Sequence, residues 1–327
     1  MPTYNRVHQL SITLASLRQQ TFSAGLWEVI VIDDGSNDGT REMCADMSDL
    51  PLKYVWQPHL GGTAAKNRGV DESQSDLILF LDDDITVNKH YIESLANHHI
   101  NQAKSISMGT LHHVGPDEQF DPDQLHTESS EGSCIRVPFT ECLGGFIATK
   151  RVDFISLGML QDPAPGFWPN WDDIDLAYRA EKAGFTFWRC KGAIGFHRDH
   201  VLADLDTECR RWEHAARSAV LLFRKHPGLR TEIPMFRDKG SIAWLQDPPK
   251  LVLRKLARQL VSSTPSMKVM QTLVTMMKQS KQPAQRLLKR WIVSGYIYRG
   301  YRKGLEEFAQ KPKPVLDETT QPRGDNR

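Results

Sequence analysis

The chain has 327 residues, of which 40% are apolar and 25% charged. That apolar fraction is ample for a core, so a globular protein is expected, either one large α/β domain with an extension or two domains. With 41 Lys and Arg against 40 Asp and Glu, the net charge is near zero, which argues against a dedicated nucleic-acid binder.

The charge is uneven: acids carry the motifs of the first part, and Lys and Arg crowd the last third. The five cysteines, Cys44, Cys134, Cys142, Cys190 and Cys209, are scattered without a Cys-x-x-Cys pair and read as reduced thiols of a cytoplasmic protein. No stretch reads as a bilayer span, the start shows no charged-then-apolar signal pattern, and no internal repeat is evident.

In chain order, Met1 to Arg6 reads as a loop and Val7 to Gln20 as a helix, from the spacing of Leu10, Leu14 and Leu17. Glu28 to Ile32 reads as a buried parallel strand closed by Asp33-Asp34-Gly35-Ser36, followed by turn chemistry with Thr40 as a helix cap. Leu52 to Trp56 is a short strand candidate. Gly61-Gly62 then opens a helix presenting Lys66 and Arg68, whose bland alternative is a solvated face.

Leu77 to Leu81, five apolar residues, suits a strand buried on both faces, and it ends in Asp82-Asp83-Asp84. Along a continuing strand Asp82 and Asp84 would project together and Asp83 away, unless a turn has begun. Adjacent carboxylates repel unless a cation joins them. Mg²⁺ or Mn²⁺ takes oxygen ligands and fills its remaining positions with water and phosphates, which suits a nucleotide; a merely solvated acidic loop is the alternative. Strands alternating with helices predict a mostly parallel sheet with its ligand beyond the carboxyl ends of the strands.

Further on, Gly144-Gly145 interrupts a strand-like run, permitting close approach of a ligand to the backbone or marking a bulge. Before it, Gly115 to Ser133 is polar and reads as a surface loop over or beside the site. In Trp168-Pro169-Asn170-Trp171-Asp172-Asp173, Asn170 is a candidate N-cap, and first-turn acids suit the helix dipole. Gly184 would end that helix. Trp168 and Trp171 could stack on a sugar face or belong to the core. His197 follows a short apolar strand, with His200 as a fallback beside it. From about Leu202 helices continue to about Leu305, and two segments, Lys250 to Val261 and Arg286 to Val293, are basic and amphipathic. Each suits either a membrane surface or ordinary packing. The tail from Gln310 reads as disordered.

Four of these stretches, Pro2-Thr3-Tyr4-Asn5-Arg6, Val31 to Thr40, Ala64 to Gly69 and Phe80 to Asp84, resemble in order and spacing the family 2 glycosyltransferases of the GT-A fold. The resemblance implies a Rossmann-like nucleotide-diphospho-sugar transferase domain over residues 1–204, a helical extension over 205–308 and a tail over 309–327. It implies a nucleotide-sugar donor, expected to be a UDP-sugar, approached by Pro2, Tyr4, Asp34, Lys66, Arg68, Asp82, Asp83, Gly144, Gly145 and Trp171, with Asp34 at the base. A divalent metal, Mn²⁺ or Mg²⁺, would sit on Asp82, Asp84 and His197. The acidic helix start resembles the acceptor-side motif of inverting enzymes, including the galactosyltransferase-like branch, and there Asp173 aligns with the catalytic base and Asp172 lies beside it. Relatives carry an apolar strand just before the Pro-x-Tyr-Asn segment, and that strand is expected to be missing from residues 1–327. The acceptor would be a saccharide or lipid-linked glycan, in polysaccharide or glycolipid synthesis at the cytoplasmic face of a membrane. Two rival readings are a catalytically impaired nucleotide-sugar or membrane scaffold and a metal-dependent nucleotidyltransferase; the latter would want a glycine-rich phosphate loop near the start, which is not seen.

Overall fold

A computed structural model describes residues 1–115, 133–142, 144–167, 169–198, 204–277 and 283–309. The proposed loop over the site, Trp168, His200 and the C-terminal tail therefore fall wholly or mostly outside the described residues.

The first strand, β1, is only Pro2–Thr3, and α1 (Val7–Leu17) buries Leu10, Leu14 and Leu17 on one face. Then follow β2 (Val29–Asp33), α2 (Thr40–Ala45), β3 (Leu52–Trp56), α3 (Gly62–Glu72), β4 (Leu77–Leu81) and β5 (Ile85–Val87). Strands β1, β2 and β3 form a parallel sheet, with Pro2 opposite Ile32 and Val29 opposite Leu52. After α4 (Tyr91–His99) come β6 (Ser105–Val114), β7 (Cys134–Val137), β8 (Phe146–Lys150), α5 (Arg151–Ser156), α6 (Asp172–Lys182) and β9 (Thr186–Arg198). These strands make a second sheet in the order β4-β8-β6-β9-β5, with β7 on β9. Its pairs are antiparallel except β6–β9, so the mostly parallel expectation holds for the first sheet only. Local residue choice specifies a buried strand but not its direction.

The second sheet is sandwiched. Ile78, Phe80 and Ile147 face one core, shared with α3 and α6, while Leu81, Phe146 and Ala148 face another, shared with α1 and α4. This is the alternation that a strand buried on both faces requires.

The helical region comprises α7 (Leu205–Lys225), α8 (Leu229–Glu232), α9 (Pro249–Val261), α10 (Thr264–Met276) and α11 (Pro283–Phe308). It belongs to the same core: Ala216, Ala219, Phe223, Phe236, Ile297 and Tyr301 cluster with Ile78 and Phe80. Gly300 and Gly304 let α11 lie directly on the α7 backbone. A Cβ at either would sit 2.1 Å from the Glu213 carbonyl or 2.4 Å from that of Arg217.

Two local features depart from expectation. Cys134 and Cys190, opposite each other across β7 and β9, form a disulfide, which corrects the all-reduced reading; Cys44, Cys142 and Cys209 are free and buried. Their separation of 56 residues hides the pair from the sequence. Between β2 and β4, meanwhile, the two sheets do not join. A cavity of about 420 Å³ lies there, lined by Val29, Ile30, Leu77, Leu79 and Tyr91, with Met1 at its edge. The Met1 nitrogen donates to the Ile30 carbonyl at 3.0 Å.

Candidate active site

The loops that follow β1 and β2 hold each other. Asn5 and Val7 donate backbone N–H groups to the side chains of Ser36 at 2.9 Å and Asp38 at 2.8 Å, and the Asn5 side chain accepts from Asn37 N at 2.9 Å. Asp38 thus caps α1 from another part of the chain, satisfying an N–H that no residue preceding α1 reaches. These bonds explain why the Thr-Tyr-Asn-Arg and Asp-Gly-Ser-Asn-Asp stretches occur together.

Asp33 and Asp34 are buried and internally occupied. Asp33 accepts from Ser36 N and the Tyr54 hydroxyl. The Asp34 carboxylate takes Gln57 Nε2 at 2.6 Å, Leu60 N at 2.9 Å, Gly61 N at 2.8 Å and His59 Nδ1 at 2.8 Å. Its visible task is to shape the loop entering α3 rather than to present a free acceptor to a base. Tyr4, half exposed, stacks on His59 at 4.1 Å between ring centroids. Pro2 is a pairing residue of β1.

Beyond β4 the chain turns at once, so Asp82, Asp83 and Asp84 do not alternate along a strand. Asp82 pairs with Lys66 at 3.1 Å. Asp83 accepts from Thr3 Oγ at 2.8 Å and Arg6 at 3.2 Å, and burial pushes its carboxyl up to about 6. Asp84 meets Arg6 at 2.8 Å and His197 Nε2 at 3.4 Å. Burial works to raise it too, yet His197 and Arg6 together hold it below the ordinary carboxylate range.

The acceptor-side acids come from the start of α6. Trp171, the residue before it, has φ 65°, a left-handed conformation that costs a bulky side chain about 1–3 kcal/mol. Its indole repays the strain in the core: Nε1 donates to the Ala215 carbonyl at 2.9 Å and Ser218 Oγ at 3.0 Å, and the ring meets Phe236. Trp171 is therefore an anchor and not a sugar-stacking surface. Asn170 does not cap α6 but donates to Thr63 Oγ at 2.8 Å, and Thr63 donates to Asp172 at 2.6 Å. Gly184, at φ 82°, ends the helix as expected.

Asp173 stands against the glycine pair. Its carboxylate accepts from Ile174 N at 2.7 Å and Gly144 N at 3.3 Å. Burial, and then repulsion from Asp172, push its carboxyl up to about 6, against the pull of those two N–H groups and Lys66. A Cβ on Gly144 would lie 2.6 Å from Asp173 Cβ, and one on Gly145 only 1.8 Å from Asp82 Oδ2. The Gly145 carbonyl also accepts Asp82 N at 2.9 Å. The glycines are the joint that lets the acids of β4 and α6 approach. Lys66 lies among Asp82, Asp172 and Asp173; burial acts to lower its pKa, but these neighbours raise it further, so it is firmly cationic.

A run of contacts thus links His197, Asp84, Asp83, Asp82, the glycine pair and Asp173. Two expected members are elsewhere. Arg68 pairs with Glu72 at 2.6 Å on an exposed face, because residues two apart on a helix point in nearly opposite directions. Asp84 meets His197, but among the described residues Asp82 does not close with them into a preformed ligand trio, and it pairs with Lys66 instead. Among the described residues the one such trio is His98 with Cys134 and Cys190, whose disulfide leaves no thiolate. Arg6 was without an assigned role from sequence; being the single cation of the first six residues is the signal that could have given it one.

The two sheets, the helices that cover them and this acidic cleft make a fold of the GT-A class. The model of the family described as Glycosyl transferase family 2 matches residues 1–166, and the chain belongs to that family. A validoxylamine A glucosyltransferase of Streptomyces hygroscopicus subsp. jinggangensis is 26% identical over 268 residues, 71% of this chain and 61% of that one. The chain thus spans about three fifths of that curated relative. An Escherichia coli protein, UDP-Glc:alpha-D-GlcNAc-diphosphoundecaprenol beta-1,3-glucosyltransferase WfgD, is 35% identical over 85 residues, 26% of this chain and 33% of that one. Among solved structures, the mannosyltransferase PcManGT from Pyrobaculum calidifontis, in complex with GDP-Man and Mn²⁺, superposes with a TM-score of 0.60 at 17% identity, covering 94% of this chain and 86% of that chain. At that identity the likeness speaks for the fold.

Proposed function

We propose that the protein moves a sugar from a nucleoside-diphosphate donor, with a UDP-sugar expected, to a hydroxyl of a saccharide or lipid-linked acceptor in cell-surface glycan synthesis, with inversion at the anomeric carbon. The observation that carries this reading is Asp173: a partly buried carboxylate, pushed up to about 6, held by two backbone N–H groups beside a largely buried lysine. Such a group is ionised at neutral pH and still basic enough to take a proton. The lipid-linked acceptor is supported by the WfgD relative, whose name specifies a diphosphoundecaprenol-linked substrate.

In this mechanism Asp173 removes the proton from the acceptor hydroxyl as its oxygen attacks the anomeric carbon. The bond from that carbon to the diphosphate breaks, and its electron pair leaves with the nucleotide. Lys66 provides fixed positive charge between the base and the leaving group. Asp172, fixed by Thr63, keeps the acceptor side anionic. The donor set of Asp84 and His197, a carboxylate oxygen and an imidazole nitrogen 3.4 Å apart, fits Mn²⁺ or Mg²⁺, with Asp82 able to join by releasing Lys66. Bound there, such a cation would neutralise charge on the departing diphosphate.

The test is release of nucleoside diphosphate across a panel of nucleotide-sugars, with and without Mn²⁺, in the presence of saccharide acceptors. Release from one donor that needs both the metal and Asp173 supports the reading. Binding without turnover would leave a scaffold, and pyrophosphate release would mean nucleotidyl transfer.

A further inference from the structure

In α9 the usual polarity of a packed helix is reversed. Lys255 and Arg258 point inward and are buried, with Lys255 on Asp247 at 2.6 Å and Arg258 on Asp238 at 3.3 Å and over the Trp291 ring. Leu253 and Leu260, seven residues apart and so on one face, are 68% and 73% exposed. The next helix is apolar on its outer face as well as its inner one. Met267 and Val274 are buried, while Val269, Leu273 and Met276, at i, i+4 and i+7, form an exposed stripe. Just before α9, Trp244 is 69% exposed and Leu245 fully so.

The stretch of sequence that carries this apolar surface bears charge of one sign. Between Asp247 and Glu306 the sequence holds thirteen Lys and Arg and no acid. Lys250 and Lys268 are exposed on α9 and α10, and Arg254 is largely exposed while reaching Asp238. Neither helix is long or apolar enough to cross a membrane.

We propose that the outer face of α9 and α10, with the Trp244-Leu245 corner, docks on the surface of an anionic lipid bilayer. The leucines and the tryptophan enter the boundary between headgroups and acyl chains, and the flanking lysines meet lipid phosphates. Exposed apolar stripes within a wholly cationic segment suit this occupant. A nucleic acid would use the cations and leave the leucines idle. The second basic amphipathic segment read from the sequence, within α11, behaves differently: Ile292 is buried and the helix packs along α7.

The proposal is independent of the sugar-transfer reading and is tested apart from it, by flotation of the full chain with vesicles of phosphatidylcholine alone or mixed with phosphatidylglycerol at low salt. The protein is expected to float with the anionic vesicles and not with the neutral ones. Leu253→Gln with Leu260→Gln should weaken retention about tenfold or more, and Lys250→Glu with Lys268→Glu by a similar factor. All these positions are exposed, and a thermal melt checks that each variant folds. Failure of the wild-type chain to float, equal flotation on neutral vesicles, or retention indifferent to the leucine changes would each overturn it. The last outcome would mark general polyanion binding, including nucleic acid. Nucleoside diphosphate release with a free saccharide acceptor should be unchanged in the leucine variant.

Discussion

Asp173 carries two linked expectations. Because burial and Asp172 raise its folded-state pKa to about 6, the folded protein holds that proton more tightly than the unfolded chain does. Its contribution to stability is whole below the unfolded carboxylate value and is lost as pH rises through about 6, while activity should rise over the same interval as the base ionises. Asp173→Asn should therefore lower kcat about a thousandfold, yet melt no lower than the wild type above that interval, with a gain on the order of 2 kcal/mol. Melts and pH–rate profiles of the pair check both. Lys66 and Arg68 give a sharper contrast. Lys66→Ala removes the partner of Asp82 and should lower kcat/KM at least about tenfold, whereas Arg68→Ala breaks only an exposed i,i+4 pair and should cost a few tenths of a kcal/mol with little change in turnover. At this scale the sequence made the acids legible as a set, because carboxylates at strand and helix ends are conspicuous. What each acid touches was not legible. Asp34 is consumed by the backbone of Leu60 and Gly61, and Trp171 by α7, through contacts that span tens of residues.

Among the elements, β2, β3 and β4 were readable almost to the residue, since a short apolar run ended by acids or glycine has few alternatives. The direction of β8 and the capping of α1 by Asp38 were not, because both depend on partners distant in sequence. Within α6 the acids divide their tasks. Asp173 faces the cleft, while Asp175 is sealed beneath the surface by Arg179 at 2.8 Å, Lys225 at 2.6 Å and His226 at 2.8 Å. That network fixes the helix whose first turn carries the base. The α7–α11 contact supports it from behind and has no slack: Gly304→Ala would press a methyl group onto the Arg217 carbonyl. Such overpacking typically costs about 1–3 kcal/mol. The expected result in denaturant titrations is a lower midpoint with the slope retained, together with reduced activity, because α7 also anchors Trp171.

For the molecule as a whole, the sheet is two ribbons facing one another across the cavity between β2 and β4, tied by Thr3, Arg6 and the helices. Asp83 spans that seam: its carboxylate takes Thr3 Oγ at 2.8 Å and Arg6 at 3.2 Å, and its carbonyl takes Thr13 Oγ from α1 at 2.8 Å. Thr3→Val should therefore destabilise the fold by about 1–3 kcal/mol in denaturant titrations, because it strips a buried carboxylate of a donor. One aspartate in the turn after β4 thus works as the rivet of two ribbons whose strands do not pair, and loosening it would part the halves of the sheet before either half lost its own ladder.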